Sequence, residues 1–238
     1  RGVGAVARRP GRLSAEFEES LSFALTADQV RVGQEIERDL AAEVPMNRLV
    51  QGEVGSGKTL VALRAMLAVA DSGGQSAFLA PTEVLAGQHL RSLVASLGPD
   101  LAARLRPTLL TGGMPAADRR RALLAAASGG ASIVVGTHAL LSDQVSFADL
   151  GLVVVDEQHR FGVDQREALR LKGAGPDGRG SPHVLVLTAT PIPRTVAMTV
   201  FGDLDVSTIA ELPAGRAPIV SHVVPLADRP ARHPRAWE

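Results

Sequence analysis

Short apolar runs of strand length recur along this 238-residue chain, and they do not alternate with polar residues. The runs lie at residues 48–51, 76–80, 108–111, 132–136, 152–156 and 184–188. Helical stretches separate them, such as those that begin at Thr59 and Glu83. Apolar runs without alternation are typical of strands that are covered on both faces. The pattern therefore predicts an α/β fold in which helices flank a mainly parallel central sheet.

Composition excludes several other classes of protein. Apolar residues make up 45% of the chain and charged residues 21%, which favours a folded domain over disorder. Lysine and arginine together number 25, as do aspartate and glutamate, so a local surface must hold any polyanionic partner. The absence of cysteine excludes a disulfide scaffold. Neither a membrane span nor a signal peptide is evident, which predicts a soluble, cytoplasmic protein.

The two ends of the chain differ from its middle. The chain opens at Arg1 without a methionine, and residues 1–22 show weak periodicity. We expect them to be an arm or linker from an upstream domain. Residues 225–238 are expected to be a tail, which leaves one domain at residues 23–224.

A glycine-rich loop lies between an apolar strand and an apolar helix. Its sequence, GEVGSGKT, matches G-x-x-x-x-G-K-[ST] completely. Glycines allow the backbone to turn tightly and to bring its N–H groups up to phosphate oxygens at the start of a helix. The cradle residues are Gly52, Gly55, Ser56 and Gly57. The loop predicts a nucleoside triphosphate site, the alternative being a glycine-rich turn that binds nothing.

Four side chains, two at the end of this loop and two at the end of a later strand, predict phosphoryl-transfer chemistry. Lys58, one of two lysines in the chain, can reach the β- and γ-phosphates, and Thr59 can offer its hydroxyl to Mg²⁺. Asp156 ends an apolar strand, so it lies at the carboxyl edge of the sheet and can hold the same Mg²⁺. Glu157 can polarise the attacking water. An acidic strand end or helix cap is the alternative for this pair.

Three motifs, GEVGSGKT, DEQH at 156–159 and TAT at 188–190, resemble motifs I, II and III of superfamily 2 helicases. Over roughly residues 20–222 the flanking segments resemble the RecG family of bacterial ATP-dependent DNA helicases. Those segments are MNRLVQGEVGSGKTLVA, PTEVLAGQH, VVGTHAL, DEQHRFGVDQR, TATPIPRTVAMT and ELPAGRAPI. The related transcription-repair coupling factor Mfd shares HRFGV and TATPIPRT, whereas Gln158 and Ser56 are more similar to RecG.

The resemblance implies that residues 23–224 form the first RecA-like, P-loop NTPase lobe of a motor that uses ATP and Mg²⁺. It also gives FALTADQ, at residues 23–29, a role in recognising adenine. Phe23 can stack on the base, and Gln29 can hydrogen-bond its Hoogsteen edge. The alternative is the start of an amphipathic helix, with Thr26 as its N-cap and Phe23 in the core.

By the same resemblance, further residues contact DNA or couple it to ATP at the DNA-facing edge. Hydroxyls, backbone amides and helix N-termini hold phosphates without reading sequence. The candidates are Thr82, Thr111, Gly112, Thr137, His138, Thr188, Thr190 and Arg194. Taken singly, the turn residues are ordinary turns or caps, and Arg194 could form a surface salt bridge.

The resemblance implies partners as well. They are branched or forked duplex DNA, a second RecA-like lobe that carries arginine fingers, and an upstream wedge domain of the same chain, which is expected to be a monomer. Without the second lobe, we expect the 238 residues to hydrolyse ATP very slowly. The implied activity is branch migration and fork remodelling in recombination and repair. The alternatives are an Mfd-like translocase and a nucleotide-gated interaction module.

Overall fold

The computed structural model describes residues 4–156, 168, 172, 180–193, 195 and 204–210. Within them, seven strands form one sheet, and every neighbouring pair is parallel. The strands are β1 (Asn47–Gly52), β2 (Gln75–Leu79), β3 (Thr108–Leu110), β4 (Ile133–Gly136), β5 (Leu150–Asp156), β6 (His183–Thr188) and β7 (Asp205–Ile209). Their order across the sheet is β3-β4-β2-β5-β6-β1-β7. The predicted α/β fold is confirmed, and each predicted apolar run forms a strand.

Of the helices whose bounds the structure gives, three connect successive strands, as parallel pairing requires, and two precede β1. They are α1 (Arg12–Ser20), α2 (Ala27–Leu40), α3 (Lys58–Asp71), α4 (Glu83–Leu105) and α5 (Ala116–Ser128), with a short 3₁₀ turn at His138–Leu141. None of the helices in the described part of the chain combines the length and the apolar character that a bilayer crossing needs.

The sheet is buried on both faces, which explains the missing alternation. Phe78 of β2 packs into a core with α1 to α4, while its neighbours Ala77 and Leu79 pack into a second core with α5. Successive strand residues point to opposite faces. Because each face meets a hydrophobic layer, every residue of β2 must be apolar or small, or have its polar group hydrogen-bonded, as Gln75 does.

Strand β7 is a difference from the sequence prediction. It pairs only with β1 among the described strands and lies at one edge of the sheet. Asp205 and Thr208 are exposed, while Ser207 and Ile209 are buried. An edge strand with one wet face carries polar residues, so no continuous apolar run marks it.

The segment before residue 23, which is expected to be an arm or linker, packs against the domain. Phe17 of α1 is fully buried in the core, and Arg8 is only 2% exposed. The Ala5 N–H donates to the Glu43 carbonyl at 2.8 Å and the Arg8 N–H to the Leu40 carbonyl at 2.6 Å, which ties the segment to the end of α2 and to the turn after it. The boundary at residue 23 stays a prediction, but residues 4–20 pack on the domain.

Candidate nucleotide and nucleic-acid site

The loops that follow the strands meet at one edge because the strands are parallel. Asp156 of β5 and Val50 of β1 both pair with Leu187 of the intervening strand β6. They therefore lie at the same level of the sheet, two strand spacings apart, which is about 10 Å. The glycine-rich loop begins two residues after Val50. A magnesium-bound triphosphate is long enough to contact both sides of such a gap.

Gly57 gives the loop its shape. Its φ of 90° is in the left-handed region that favours glycine, and an added Cβ would lie 2.0 Å from Nε2 of Gln29. Ser56 is fully buried, and its hydroxyl has no hydrogen-bond partner among the described residues. A buried polar atom of this kind needs an explanation, and a bound phosphate would supply a partner.

Lys58 and Thr59 occupy the first turn of α3. The Lys58 ammonium donates to the carbonyls of Gly52 and Glu53, the latter at 3.0 Å. The cation therefore lies against the mouth of the loop, where an anion held by the loop's N–H groups would meet it. Thr59 is partly buried beside it.

Asp156 has a partner that the sequence prediction missed. Nε2 of His89, in α4, donates to Oδ2 of the Asp156 carboxylate at 2.7 Å. The ring of His89 also packs on Phe78, with centroids 4.7 Å apart. The letters PTEVLAGQH contain His89, but nothing local in them indicates which strand end it contacts. Glu157 lies outside the described residues.

Residues 23–29 show features of both hypotheses for this segment, namely adenine recognition and the start of a helix. Thr26 caps α2 in a capping box with Gln29, as the helix-start alternative predicts. Phe23, however, is 52% exposed rather than in the core, so its ring is available to stack on a base.

Gln29 lies underneath the loop. It is 1% exposed, its Nε2 donates to the Ser56 carbonyl at 3.1 Å, and its Oε1 accepts the Thr26 N–H at 2.9 Å. The amide thus supports the phosphate loop in this structure. Its contact with adenine stays a prediction, and a buried amide would have to be uncovered to make that contact.

The predicted DNA-facing turns divide into exposed and buried groups. Gly112 and His138 are exposed, while Thr111 and Thr137 are buried at 4% and 6% exposure. Thr137 accepts the Ala139 N–H at 3.5 Å and so holds its own turn. A phosphate at these turns would therefore meet the backbone or the exposed neighbours.

The start of α4 belongs to the same surface. Thr82 is its N-cap and accepts the Leu85 N–H at 3.2 Å. Glu83 accepts the Gly113 N–H at 2.9 Å, which joins the turn after β3 to this helix. Glu83 is an acidic group at a helix N-terminus, where the dipole stabilises it.

The turn after β6 is closed by its own residues. The Thr190 N–H donates to the Thr188 hydroxyl at 3.1 Å, and Thr188 is 2% exposed. Gln51 of β1 donates to the Ile192 carbonyl at 3.1 Å, so this turn is tied to the strand that leads into the phosphate loop. Arg194 lies outside the described residues.

Comparison with known proteins agrees with this arrangement. The model of the family "DEAD/DEAH box helicase" matches residues 26–199, most of the chain. The chain therefore belongs to the DEAD/DEAH box helicase family. Within that class the chain is similar to ATP-dependent DNA helicase RecG of Mycobacterium tuberculosis, with 54% identity over 233 residues. RecG of Streptococcus pneumoniae is 52% identical over 202 residues.

These alignments cover 94% and 85% of this chain but 31% and 28% of the two relatives, so the chain spans about a third of their length. A solved structure of RecG bound to a three-way DNA junction superposes with a TM-score of 0.81 at 38% identity, over 98% of this chain and 30% of that one. The helicase MrfA bound to DNA superposes with a TM-score of 0.61 at 19% identity, which shows the fold alone. The predicted RecA-like helicase lobe and its resemblance to RecG are confirmed.

Proposed function

We propose that this chain is the ATP-binding motor lobe of a DNA helicase that couples ATP hydrolysis to movement along duplex DNA. The observation that carries the proposal is the meeting of the phosphate loop, Asp156 and the Thr188 turn at one sheet edge. The loops after β2, β3 and β4 continue the same edge. A relative solved on a three-way DNA junction supports branched or forked DNA as the substrate, with roles in recombination and repair.

The phosphate loop is proposed to bind the triphosphate. Its backbone N–H groups and the start of α3 hold the β-phosphate oxygens, and the buried Ser56 hydroxyl gains a partner there. Lys58 moves from the loop carbonyls to the phosphates, because a phosphate oxygen is a stronger acceptor for an ammonium than a neutral carbonyl. Phe23 supplies an exposed ring for the base.

Thr59 and Asp156 fit a magnesium ion, since a hydroxyl and a carboxylate are the hard oxygen ligands that Mg²⁺ prefers beside phosphates. When bound, Mg²⁺ neutralises charge that develops on the phosphate oxygens. Glu157 is proposed to orient the attacking water and to accept its proton. The division of roles follows from position, because Asp156 ends the strand and Glu157 comes one residue later.

We propose that the turn after β6 couples ATP hydrolysis to the DNA-binding surface. Thr188 and Thr190 close that turn, and Gln51 joins it to β1, so a shift of the phosphate loop would be transmitted through strand β1. The exposed Gly112, His138 and Thr82 lie on the proposed DNA surface. Arg194 is proposed to add a phosphate contact or a coupling bond.

The test is Glu157→Gln in the complete protein. We expect ATP to bind as in the wild type, while ATP hydrolysis and the unwinding of forked DNA both stop. An interaction module that ATP merely gates would keep its partner binding and would show no DNA-dependent hydrolysis in the wild type. A translocase that acts on stalled transcription would instead prefer RNA polymerase to forked DNA.

We further propose that full turnover needs a second lobe with arginine fingers, that an upstream wedge domain of the same chain contacts the branched DNA, and that the motor works in the cytoplasm as a monomer. The 238 residues alone should then hydrolyse ATP far more slowly than the complete protein. Equal turnover numbers from the two would refute the need for a second lobe.

A further inference from the structure

The sequence predicts no role for His89, the last residue of the segment PTEVLAGQH, yet this residue contacts the carboxylate proposed to bind Mg²⁺. Its Nε2 lies 2.7 Å from Oδ2 of Asp156, although 67 residues separate the two along the chain. The side chains of His89 and Asp156 are 19% and 15% exposed. A short hydrogen bond to a carboxylate in a largely buried setting is a strong and directional contact.

The surroundings hold His89 in place. Its ring packs on Phe78, which is fully buried in the neighbouring strand β2, at an interplanar angle of 44°. The helix that carries His89 is fixed at its start by the Thr82 cap and by the bond between Glu83 and Gly113. His89 lies six residues after Glu83, about 9 Å further along the helix axis. The imidazole therefore has little freedom to leave Asp156.

The hydrogen bond from His89 gives the two carboxylate oxygens of Asp156 different roles. A donor on Oδ2 fixes the rotation of the carboxylate and leaves Oδ1 to serve a cation. Carboxylate ligands of metals are commonly held by a hydrogen bond of this kind, and its loss typically costs 10- to 100-fold in metal affinity. Because Oδ2 can only accept, His89 must carry its proton on Nε2.

We propose that His89 is a positioning residue that orients Asp156 for the magnesium ion of the nucleotide complex. This inference rests on the proposed function, because it needs a Mg²⁺-nucleotide site at Asp156. It goes further in assigning a role to a histidine of α4. His89 acts through Asp156 and need not touch the nucleotide.

The experiment compares three variants of the complete protein with the wild type. His89→Leu removes the donor but keeps an apolar side chain against Phe78. His89→Gln keeps an N–H donor at nearly the position of Nε2. Gln88→Leu changes the exposed preceding residue and serves as the matched control. A fluorescent ADP analogue reports binding, once in EDTA and once across a Mg²⁺ titration, and thermal unfolding checks the fold.

We expect His89→Leu to raise the Mg²⁺ concentration for half-maximal effect by about 10-fold or more, with affinity in EDTA unchanged. His89→Gln should restore most of the wild-type Mg²⁺ response, and Gln88→Leu should match the wild type. An unchanged Mg²⁺ requirement in His89→Leu would overturn the inference, as would an equal loss of affinity in EDTA. A wild type that binds no nucleotide would instead overturn the proposed function.

Discussion

The two edges of the sheet differ in what their polar side chains contact. At the amino edge, where the strands begin, Arg8 and His183 are hydrogen-bonded to other parts of the protein, although Nε of Arg8 and the Ser76 hydroxyl have no partner among the described residues. At the carboxyl edge, the buried Ser56 hydroxyl has no partner among the described residues, and the Lys58 ammonium donates to neutral carbonyls of its own loop. The amino edge is closed by contacts within the protein, whereas ligands of open α/β sheets bind at the carboxyl edge.

Arg8 shows how the amino edge is closed. Its guanidinium donates two hydrogen bonds to the Asp149 carboxylate, at 2.7 and 3.0 Å, and a third to the Ser72 carbonyl at 3.3 Å. Gly74 and Gly151 make room for it, because a Cβ at either position would come within about 3 Å of the guanidinium. The chain before α1 is thereby joined to the starts of β2 and β5.

His183 closes the same edge at the start of β6. Its Nδ1 accepts the Met46 N–H at 2.9 Å, and its Nε2 donates to the Val6 carbonyl at 3.1 Å. The first of these bonds requires the neutral ring, because a protonated imidazole has no nitrogen that can accept. Burial lowers the pKa of His183, and the charge of Arg8 lowers it further, although the Val6 bond and Asp39 act in the opposite direction.

The comparison predicts that damage to the carboxyl edge removes activity without unfolding the protein. Lys58→Ala in the complete protein should lower kcat for ATP at least about 100-fold, because a charge that stabilises the transferred phosphoryl group is lost. Its unfolding temperature should stay close to that of the wild type. ATPase assays and thermal unfolding measure the two effects.

The chain offers a matched control, since Lys172 is its other lysine. Lys172 donates to the carbonyls of Ser142 and Val145 at 2.5 Å, in the connection before β5. Lys172→Ala should leave kcat unchanged. Equal losses of activity in both variants would mean that lysine charge in general, and not the phosphate loop, supports hydrolysis.

Damage to the amino edge should do the reverse. Arg8→Ala leaves Asp149 without its bidentate partner and should lower the free energy of unfolding by about 3 kcal/mol. Nucleotide affinity of the protein that remains folded should not change. Urea unfolding and nucleotide titration test this, with Arg9→Ala as the control because Arg9 is exposed and its bonds to Ser72 come from its backbone. A large loss of nucleotide affinity in Arg8→Ala would contradict the expectation that the amino edge affects stability and not nucleotide binding.

Substitution of Asp71 should lower the free energy of unfolding by less than substitution of Arg8. The N-cap of α1, Gly11, has no side chain, and the Asp71 carboxylate accepts the backbone N–H groups of Gly11, Leu13 and Ser14 in its place. Asp71→Ala should lower the free energy of unfolding by about 1–2 kcal/mol, as loss of a helix cap does. The free energy of unfolding of Asp71→Asn should lie between those of the wild type and Asp71→Ala, because the amide keeps one accepting oxygen.

The same carboxylate should show a pH dependence at low pH. Burial raises the pKa of Asp71, but the Ser14 hydroxyl and the three N–H groups lower it more, so the pKa lies below its usual value. Its contribution is therefore present above the ordinary aspartate pKa of about 3.9 and is lost as pH falls through the lowered value. Acid unfolding of wild type and Asp71→Asn should converge at low pH, and curves that stay parallel would contradict this account.

His183 gives the smallest expected change. Because its folded pKa is lowered, the unfolded chain binds more protons below about pH 6.5, and stability falls as pH drops through that value. The slope from this group is at most about 1.4 kcal/mol per pH unit. His183→Asn keeps an acceptor for the Met46 N–H but does not titrate, so its pH profile should be flatter. Identical profiles in urea unfolding would show that His183 does not titrate on unfolding.

Local patterns predicted most of the fold and the centre of the site. The six apolar runs predicted strands, because an unbroken apolar run is typical of burial on both faces. The phosphate loop after β1 could be predicted because its glycines and Lys58 lie within eight residues of one another. The edge strand β7 was missed because its polar residues face solvent. The burial of Thr111 and Thr137 was also missed, since no pattern distinguishes a threonine that holds a turn from one that offers its hydroxyl.

The sequence by itself determined which short segments carry phosphate chemistry and that parallel strands bring their ends to one edge, because backbone geometry and burial act over a few neighbouring residues. Only the tertiary structure decided which distant groups touch. The strand order places β6 between Asp156 and the phosphate loop, the path of α4 brings His89 to Asp156, and the first residues close the amino edge. Such contacts depend on how whole elements pack, and side chains 67 or 141 residues apart leave no local trace of them.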